Sequence, residues 1–340
     1  MYGLYQIIYF TFFDILKTLT SPFFIIITMI IFFQYKEASL SPLKATLTSI
    51  LYGIFGGIIA TVSFIYLEIY IMPREFMYIL IFAIILSLID TRFVCFSYGG
   101  SLLVLSNIIF GYPQIDTYEV MIVVAVLHIV ESILILLNGQ SQSYINYFKM
   151  ENEILGGFIF NRFWPIPFVI FIGDTMIRPI TLVAILNYGD FTISNNPKKK
   201  TIETASMIFL YSILLLIITK ISNIEAIPPI FALLGHEFII FLNKYKEKQK
   251  VPIYSETLNG IRVLKVEQKS IAWKIGMRPG DIILNINGIP INSEKDLIDI
   301  NFLRNNRYIF KYFNRKKGLI EKTYIGKEKT LGIVASPKVF

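Results

Sequence analysis

The chain has 340 residues, of which 54% are hydrophobic and only 16% are charged, a balance that excludes an ordinary soluble globular protein. Its single cysteine, Cys95, excludes an intramolecular disulfide and a metal site built from several cysteines. Charge is distributed unevenly. Residues 244–340 carry 20 Lys and Arg against 9 Asp and Glu, whereas residues 1–243 carry 12 against 15. We therefore expect an apolar region up to residue 243 and a basic soluble region after it.

The apolar region consists of hydrophobic segments separated by more polar loops. A helix that crosses a membrane needs about 20 apolar residues, and most of these segments approach that length. The segments are 22–34, 50–72, 76–94, 98–111, 119–138, 205–222 and 227–243. A further stretch, 4–19, either lies in the interface or makes an extra crossing. The pattern predicts a polytopic α-helical membrane domain over 1–243 with seven to eight membrane segments.

Lysines near the last two predicted spans indicate the orientation of the chain. A run of lysines at 198–200 precedes the span that starts at 205, and further lysines at 244–250 follow the last span. Because basic loops tend to stay in the cytoplasm, both sites are predicted to be cytoplasmic, with two crossings between them. We therefore predict that 244–250 is a basic juxtamembrane linker and that the region after it is cytoplasmic.

Segment 165–188 needs a separate explanation. Counting crossings places both residue 139 and the lysines at 198–200 in the cytoplasm. Either the segment between them enters and leaves on one side, or another span is miscounted. Three prolines and Gly173 interrupt segment 165–188. Since non-helical backbone is tolerated at membrane depth when it is buried in protein, we predict a re-entrant segment here.

Residues 259–292 are the most informative part of the basic region. Alternating apolar residues predict strands over 261–266 and 282–286, with a short helix over 270–275 between them. Asn287-Gly288 is a strong hairpin signal, because both residues tolerate positive φ.

This stretch resembles a PDZ domain. The resemblance rests on an ordered series of motifs: Gly260-Ile261-x-Val263, Ser270-Ile271-Ala272, Gly276-Met277, Pro279-Gly280-Asp281-x-Ile283-Leu284 and Ile286-Asn287-Gly288. It implies a small α+β domain over 251–340, a partly open barrel that binds an extended peptide tail by adding a strand. The alternative is a generic α+β domain with ordinary turns.

The resemblance also implies where a peptide would bind. In PDZ domains the peptide adds to one strand, and its terminal carboxylate meets N–H groups of a glycine-containing loop before that strand. No such loop precedes Gly260, whereas 329–335 looks like one followed by a strand, which implies a permuted strand order. The predicted wall opposite this strand is a helix over 293–303. The predicted peptide-binding residues are Leu331, Gly332, Ile333 and Val334 on the strand and Leu297 and Ile300 on the helix. The alternative is a closing edge strand whose apolar residues fill the core.

Ionisable residues within the predicted spans are costly and therefore mark candidate functional positions. His128 and Glu131 are three residues apart, and Asp174 and Arg178 are four apart, where they would pair on one helical face. An ion or proton path is the functional interpretation. Structural pairing between helices is the alternative, which we favour because no mirrored pair of broken helices indicates a transporter.

The motif Gly235-His236-Glu237 in the last span is similar to part of the HExxH motif of PDZ-containing intramembrane zinc proteases. In HExxH two histidines hold zinc and the glutamate is the base. Here Ile240 stands at the position of the second histidine, and the chain has only two histidines. We therefore predict no catalytic residues, no metal site and no cofactor, with a degenerate relative of those proteases as an alternative.

Several spans followed by one PDZ-like domain, without catalytic residues, resemble the MinJ family of Firmicute cell-division proteins. The matching stretches are 163–167, 188–190, 233–237 and the PDZ series. The resemblance implies a multi-pass scaffold in the bacterial cell membrane that bridges the pole protein DivIVA and the division inhibitor MinD and so places the septum. Another membrane PDZ adaptor, in signalling or secretion, is the alternative. Attraction to an anionic bilayer explains the basic charge, so we expect lipid but no nucleic acid as a further partner.

Overall fold

The computed structural model describes residues 4–38, 41–69, 72–150, 153–172, 178–255, 257–302, 306–328 and 330–336. The chain divides into two compact units. The first is formed by Met1–Tyr144, Phe160–Asp190 and Lys198–Tyr245, and the second by Ile145–Ile159, Phe191–Pro197 and Lys246–Phe340.

The N-terminal region is mainly helical. Its helices are α1 (Leu4–Leu19), α2 (Pro22–Ala38), α3 (Pro42–Tyr66), α4 (Pro73–Ser87), α5 (Phe96–Phe110), α6 (Thr117–Asn138), α7 (Pro197–Ile221) and α8 (Ile227–Gln249). A 3-10 helix, Thr91–Val94, lies between α4 and α5. Proline occupies the first position of several of these helices, where its missing N–H costs nothing.

Within the described residues, four helices are long and apolar enough to cross a membrane, namely α3, α6, α7 and α8. Helices α1 and α2 are bent by 59° and would make a fifth crossing if they form one broken span. The sequence predicted seven to eight membrane segments. The structure gives fewer candidate spans partly because α4 and α5 are short, with 15 residues each. A helix of that length measures about 22 Å, whereas the apolar core of a bilayer is about 30 Å thick.

The predicted span 76–94 is interrupted. Helix α4 ends at Ser87, and the Asp90 carboxylate accepts a hydrogen bond from the N–H of Arg92 at 3.0 Å to start the 3-10 helix. Helix α5 then packs against α4, with Gly99 facing the carbonyl of Ile79. The two short helices therefore enclose a polar connection at 90–95.

Within the segment predicted to re-enter the membrane, the described residues 165–172 and 178–188 are extended, and residues 173–177 lie outside the described residues. Strands β1 (Tyr144–Met150), β2 (Glu153–Ile172) and β3 (Arg178–Thr192) form a three-stranded sheet in that order. Because only a short connection joins β2 to β3, the two are antiparallel. Trp164, Ile166 and Phe168 of β2 are completely buried. Pairing within a sheet satisfies the backbone groups of such a buried segment; its entry and return on one side of a membrane stay a prediction.

The C-terminal region is a small α+β domain. Its elements are β4 (Ile261–Val266), α9 (Ile271–Lys274), β5 (Ile282–Ile286), β6 (Ile289–Pro290), α10 (Glu294–Phe302), β7 (Arg307–Asn314), β8 (Gly318–Ile325) and β9 (Ile333–Ala335). The strand order is β8-β7-β5-β4-β9, with β6 paired to β5. The predicted strands at 261–266 and 282–286 and the predicted fold class, a helical membrane domain followed by a small α+β domain, are confirmed. The last strand lies beside the first, as the permuted order requires.

The segment predicted to be a basic juxtamembrane linker, 244–250, is helical as far as Gln249, where α8 ends. Lysine and glutamate are good helix formers, and cations near a helix C-terminus are favoured by its dipole. Glu247 is buried within this segment, at 1% exposure. Its carboxylate accepts hydrogen bonds from the N–H groups of Ile193 and Ser194 and from the Ser194 hydroxyl. The end of α8 is therefore an ordered part of the second unit.

Candidate functional site

Strand β9 forms one edge of the C-terminal sheet. It pairs antiparallel with β4, with Val266 opposite Ile333 and Lys265 opposite Val334. Among the described strands, none pairs with the other side of β9. An edge strand presents a row of backbone donors and acceptors to which an extended peptide can add.

The loop before β9 is fixed by its carbonyl groups. The carbonyls of Thr330, Leu331 and Gly332 accept hydrogen bonds from the N–H groups of Ile271, Ala272 and Glu267, at 3.2, 3.1 and 2.9 Å. In a planar trans peptide the N–H points away from the carbonyl. The N–H groups of Gly332 and Ile333 are therefore directed away from β4 and α9, toward the edge of the sheet. This orientation suits a carboxylate at that edge.

Glycine is required at position 332. Gly332 has a φ of 64°, a left-handed conformation that side chains disfavour. A Cβ atom at this position would also overlap Cβ of Ser270. The loop conformation that directs the N–H groups outward therefore depends on the absence of a side chain.

The predicted peptide-binding residues occupy two environments. Leu297, Ile300 and Leu331 are buried in the core of the domain, and half-buried Ile333 packs against the same cluster. Val334 is half-buried and does not belong to that cluster. The structure thus brings α10 and the β9 loop together around one core, with Ile333 at its margin. Peptide binding at these residues stays a prediction.

Helix α10, the predicted opposite wall, begins with a capping box. The N–H of Asp296 donates to the Ser293 hydroxyl, and the N–H of Ser293 donates back to the Asp296 carboxylate at 2.9 Å. The N–H of Asn292 also donates to that carboxylate, and these donors lower the pKa of Asp296 below its usual value. By contrast, burial raises the pKa of Asp281 in the turn before β5.

A second polar cluster lies within the helical unit. The Cys95 Sγ atom, at the start of α5, is 3.2 Å from Nε2 of His128 and 3.6 Å from Nε2 of His236. The three potential ligand atoms all lie within 4.8 Å of one another. The sequence analysis predicted no metal site and did not identify this cluster. Cys95 is 33 positions from His128 and 141 positions from His236, so the three residues form no sequence motif.

Glu237, the neighbour of His236, is engaged by other side chains. Its carboxylate accepts a hydrogen bond from Arg92 Nη1 at 2.9 Å and another from the Tyr98 hydroxyl. Both carboxylate oxygens therefore have donors. Glu237 therefore forms an ion pair with Arg92.

The two predicted pairs of ionisable residues have different outcomes. His128 Nε2 and Glu131 Oε2 are 3.8 Å apart, and both side chains are buried. Asp174 and the side chain of Arg178 lie outside the described residues, so their pairing stays a prediction.

Comparison with known families matches part of the C-terminal region. Residues 262–303 match the family described as the PDZ domain. The matched range begins in β4 and ends after α10, so it includes the turn, the short helix and the helix wall described above. A comparison of the chain with curated proteins found no match. Among the helices that the structure describes, four are long and apolar enough to span a bilayer. Together with the matched range, they support a membrane protein that carries a PDZ domain.

Proposed function

We propose that the protein is a non-enzymatic membrane adaptor whose PDZ domain binds the C-terminal tails of partner proteins. The open edge of β9, preceded by a loop that directs N–H groups toward that edge, is the observation that carries this proposal. Backbone pairing at the edge would supply affinity, and the margin around Ile333 would supply side-chain selectivity.

The proposed membrane arrangement is multi-pass, with the PDZ domain in the cytoplasm. The lysines in the last turns of α8 support it, because basic residues next to a span favour the cytoplasmic side. Exposed Lys244 and Lys248 would also attract anionic lipid headgroups, each by about 1 kcal/mol. A reporter enzyme fused after Phe340 tests the side. Activity of a reporter that works only outside the cell would contradict the proposal.

Peptide binding is tested with the full chain in lipid nanodiscs, because contacts such as Gly156 N–H to the Tyr254 carbonyl join the PDZ domain to residues outside 251–340. The probe is a library of random sequences displayed with a free C-terminus. We expect selected peptides to bind, and to lose at least tenfold in affinity when the terminal carboxylate is amidated. Selected peptides that bind equally well after amidation would contradict binding at the β9 loop.

We further propose that the adaptor acts in placing the bacterial division site by bridging a DivIVA-like and a MinD-like protein. The stretches that resemble the MinJ family support this, together with the order of a membrane region and then a PDZ domain. A fluorescent fusion is expected at septa and poles, and deletion is expected to displace septa from midcell. A uniform membrane distribution and normal septa, with peptide binding intact, would favour an adaptor in signalling or secretion.

A further inference from the structure

We propose that Cys95, His128 and His236 form a zinc-binding site in the interior of the helical unit. Three different elements supply the ligands: the start of α5, the middle of α6 and the first half of α8. The proposed site is independent of the PDZ domain and of peptide binding.

The distances between the side chains match the geometry that zinc requires. Zinc–sulfur and zinc–nitrogen bonds are about 2.3 and about 2.0–2.1 Å long, so tetrahedral angles place sulfur and nitrogen about 3.5 Å apart. The observed separations from Cys95 Sγ are 3.2 Å to His128 and 3.6 Å to His236. A single ion can therefore bind all three atoms with small side-chain adjustments.

The rings of both histidines offer their Nε2 atoms to the site. His128 Nδ1 lies 2.7 Å from the carbonyl of Val124, one turn earlier in α6. A carbonyl can only accept a hydrogen bond, so Nδ1 carries the proton and Nε2 keeps the lone pair that a metal needs. His236 Nδ1 is buried and has no hydrogen-bond partner within the described residues. Coordination through Nε2 would add a polar anchor to a ring that already packs against Tyr98, His128 and Tyr211.

Charge also favours a divalent cation. His128 is 1% exposed, and Glu131, one turn further along α6, is 5% exposed with its carboxylate 3.8 Å from His128 Nε2. An isolated buried carboxylate is costly. Zinc with one thiolate and one carboxylate is formally neutral, which suits an apolar interior. We therefore assign Glu131 as the charge-compensating group next to the ion, not as one of its ligands.

The position of the site along the helices gives it a structural role. His128 is close to the middle of the 22-residue helix α6, about 16 Å from either end. Cys95 belongs to the polar connection between the two short helices α4 and α5. Zinc would therefore join the tip of this helical pair to α6 and α8. Glu237 is not needed as a ligand, because Arg92 and Tyr98 already engage its two oxygens.

The first test measures metal in the full chain, purified in detergent and then exposed to excess Zn²⁺ and desalted. We expect one zinc per chain, and near-complete loss of zinc in Cys95→Ser, His128→Gln and His236→Gln. Glu237→Gln is the matched control beside His236 and should keep its zinc. Glu131→Gln should retain the site with about 10–100-fold weaker affinity, as for a group that supports the ligands.

The second test uses Co²⁺ as a spectroscopic probe and does not depend on the variants being folded. Because Cys95 is the only cysteine, a sulfur-to-cobalt charge-transfer band in the wild-type chain can come from no other residue. We expect this band together with the visible bands of tetrahedral Co²⁺, and we expect Zn²⁺ to displace both and to protect Cys95 from alkylation. Folded wild-type protein that binds neither ion, or that binds Co²⁺ without the sulfur band, would overturn the proposal.

Discussion

Gly53 of α3 lies directly against the carbonyl oxygen of Pro165 in β2, so close that a Cβ atom at position 53 would overlap this oxygen. One turn later, Gly57 lies against the carbonyl oxygen of Pro167 in the same way. After a further turn, the Thr61 hydroxyl accepts a hydrogen bond from the N–H of Val169 at 2.9 Å. This small-residue stripe on α3 is therefore the surface on which the buried strand rests.

The first prediction concerns this stripe. Gly53→Ala and Gly57→Ala should destabilise the helical unit by about 1–3 kcal/mol, because the β2 backbone must move. They should do so although alanine is intrinsically the better helix former by about 1 kcal/mol. The measurement is thermal unfolding followed by the fluorescence of buried Trp164, in a Trp273→Phe background that leaves one tryptophan.

Gly56→Ala is the matched control for this prediction. It lies in the same helix, but its Cβ would meet the side-chain methyl groups of Ile166 and Val130 rather than backbone. Such groups can adjust, so the cost should be smaller. Equal unfolding temperatures for Gly53→Ala and Gly56→Ala would contradict the packing explanation.

The parts of the fold that follow from local patterns were predictable. The strands at 261–266 and 282–286 follow from alternation over a few residues and from turns with glycine and asparagine, and both appear with the predicted bounds. The start of α10 likewise follows from Ser293 and the residues after it. In these cases one short window contains the interactions that determine the structure.

Features that depend on distant contacts were not predictable from one sequence. The pattern around Pro165 and Pro167 indicated a broken segment, but not that it is a strand resting on Gly53 and Gly57. Cys95 has no potential ligand close to it in the sequence, because its spatial neighbours His128 and His236 come from other helices. A lone cysteine and two separate histidines become a candidate site only when the packing of the helices is known.

The second prediction concerns Glu247, whose buried carboxylate accepts the N–H groups of Ile193 and Ser194. Glu247→Gln turns one acceptor oxygen into a donor, which leaves buried N–H or hydroxyl groups unpaired at a cost of about 1–3 kcal/mol. Hydrogen exchange should accelerate over 191–197. Glu225→Gln, at an exposed position, is the control and should leave exchange there unchanged. The same slow exchange in both variants would show that the carboxylate is dispensable.

The third prediction concerns the capping box of α10. Asp296→Asn replaces the carboxylate that accepts hydrogen bonds from the N–H groups of Asn292 and Ser293 with a neutral amide. This change should cost about 1 kcal/mol of stability. Hydrogen exchange over 294–302 is the measurement. Asp299→Asn is the control, since Asp299 is an exposed residue on the same helix.

The same carboxylate predicts a pH dependence. Because the pKa of Asp296 is lower in the folded protein, its ionised form contributes stability that is fully present above the unfolded pKa of about 3.9. That contribution should disappear as the pH falls through the lower, folded pKa. The difference in exchange between wild type and Asp296→Asn should therefore shrink on acidification. A difference that stays constant to the lowest pH at which the domain is folded would contradict this account.

The last prediction distinguishes the two faces of β9. Ile333 packs at the margin of the core cluster, whereas its neighbour Val334 does not belong to that cluster, as expected for successive residues in a strand. A peptide that adds to the edge of β9 and covers this margin would bury the part of Ile333 that is still exposed.

Ile333→Ala should therefore weaken binding of a selected free-carboxylate peptide about tenfold, which corresponds to about 1.4 kcal/mol or roughly two buried methylene groups. Val334→Ala, one position along the same strand, leaves the backbone groups of Val334 available to a peptide and should change the affinity less than about twofold. Affinities measured in nanodiscs are compared only for variants whose hydrogen exchange in β4 and β9 matches the wild type, so that loss of folding is not mistaken for loss of binding. Equal effects of the two substitutions would show that the peptide does not approach the face on which Ile333 lies.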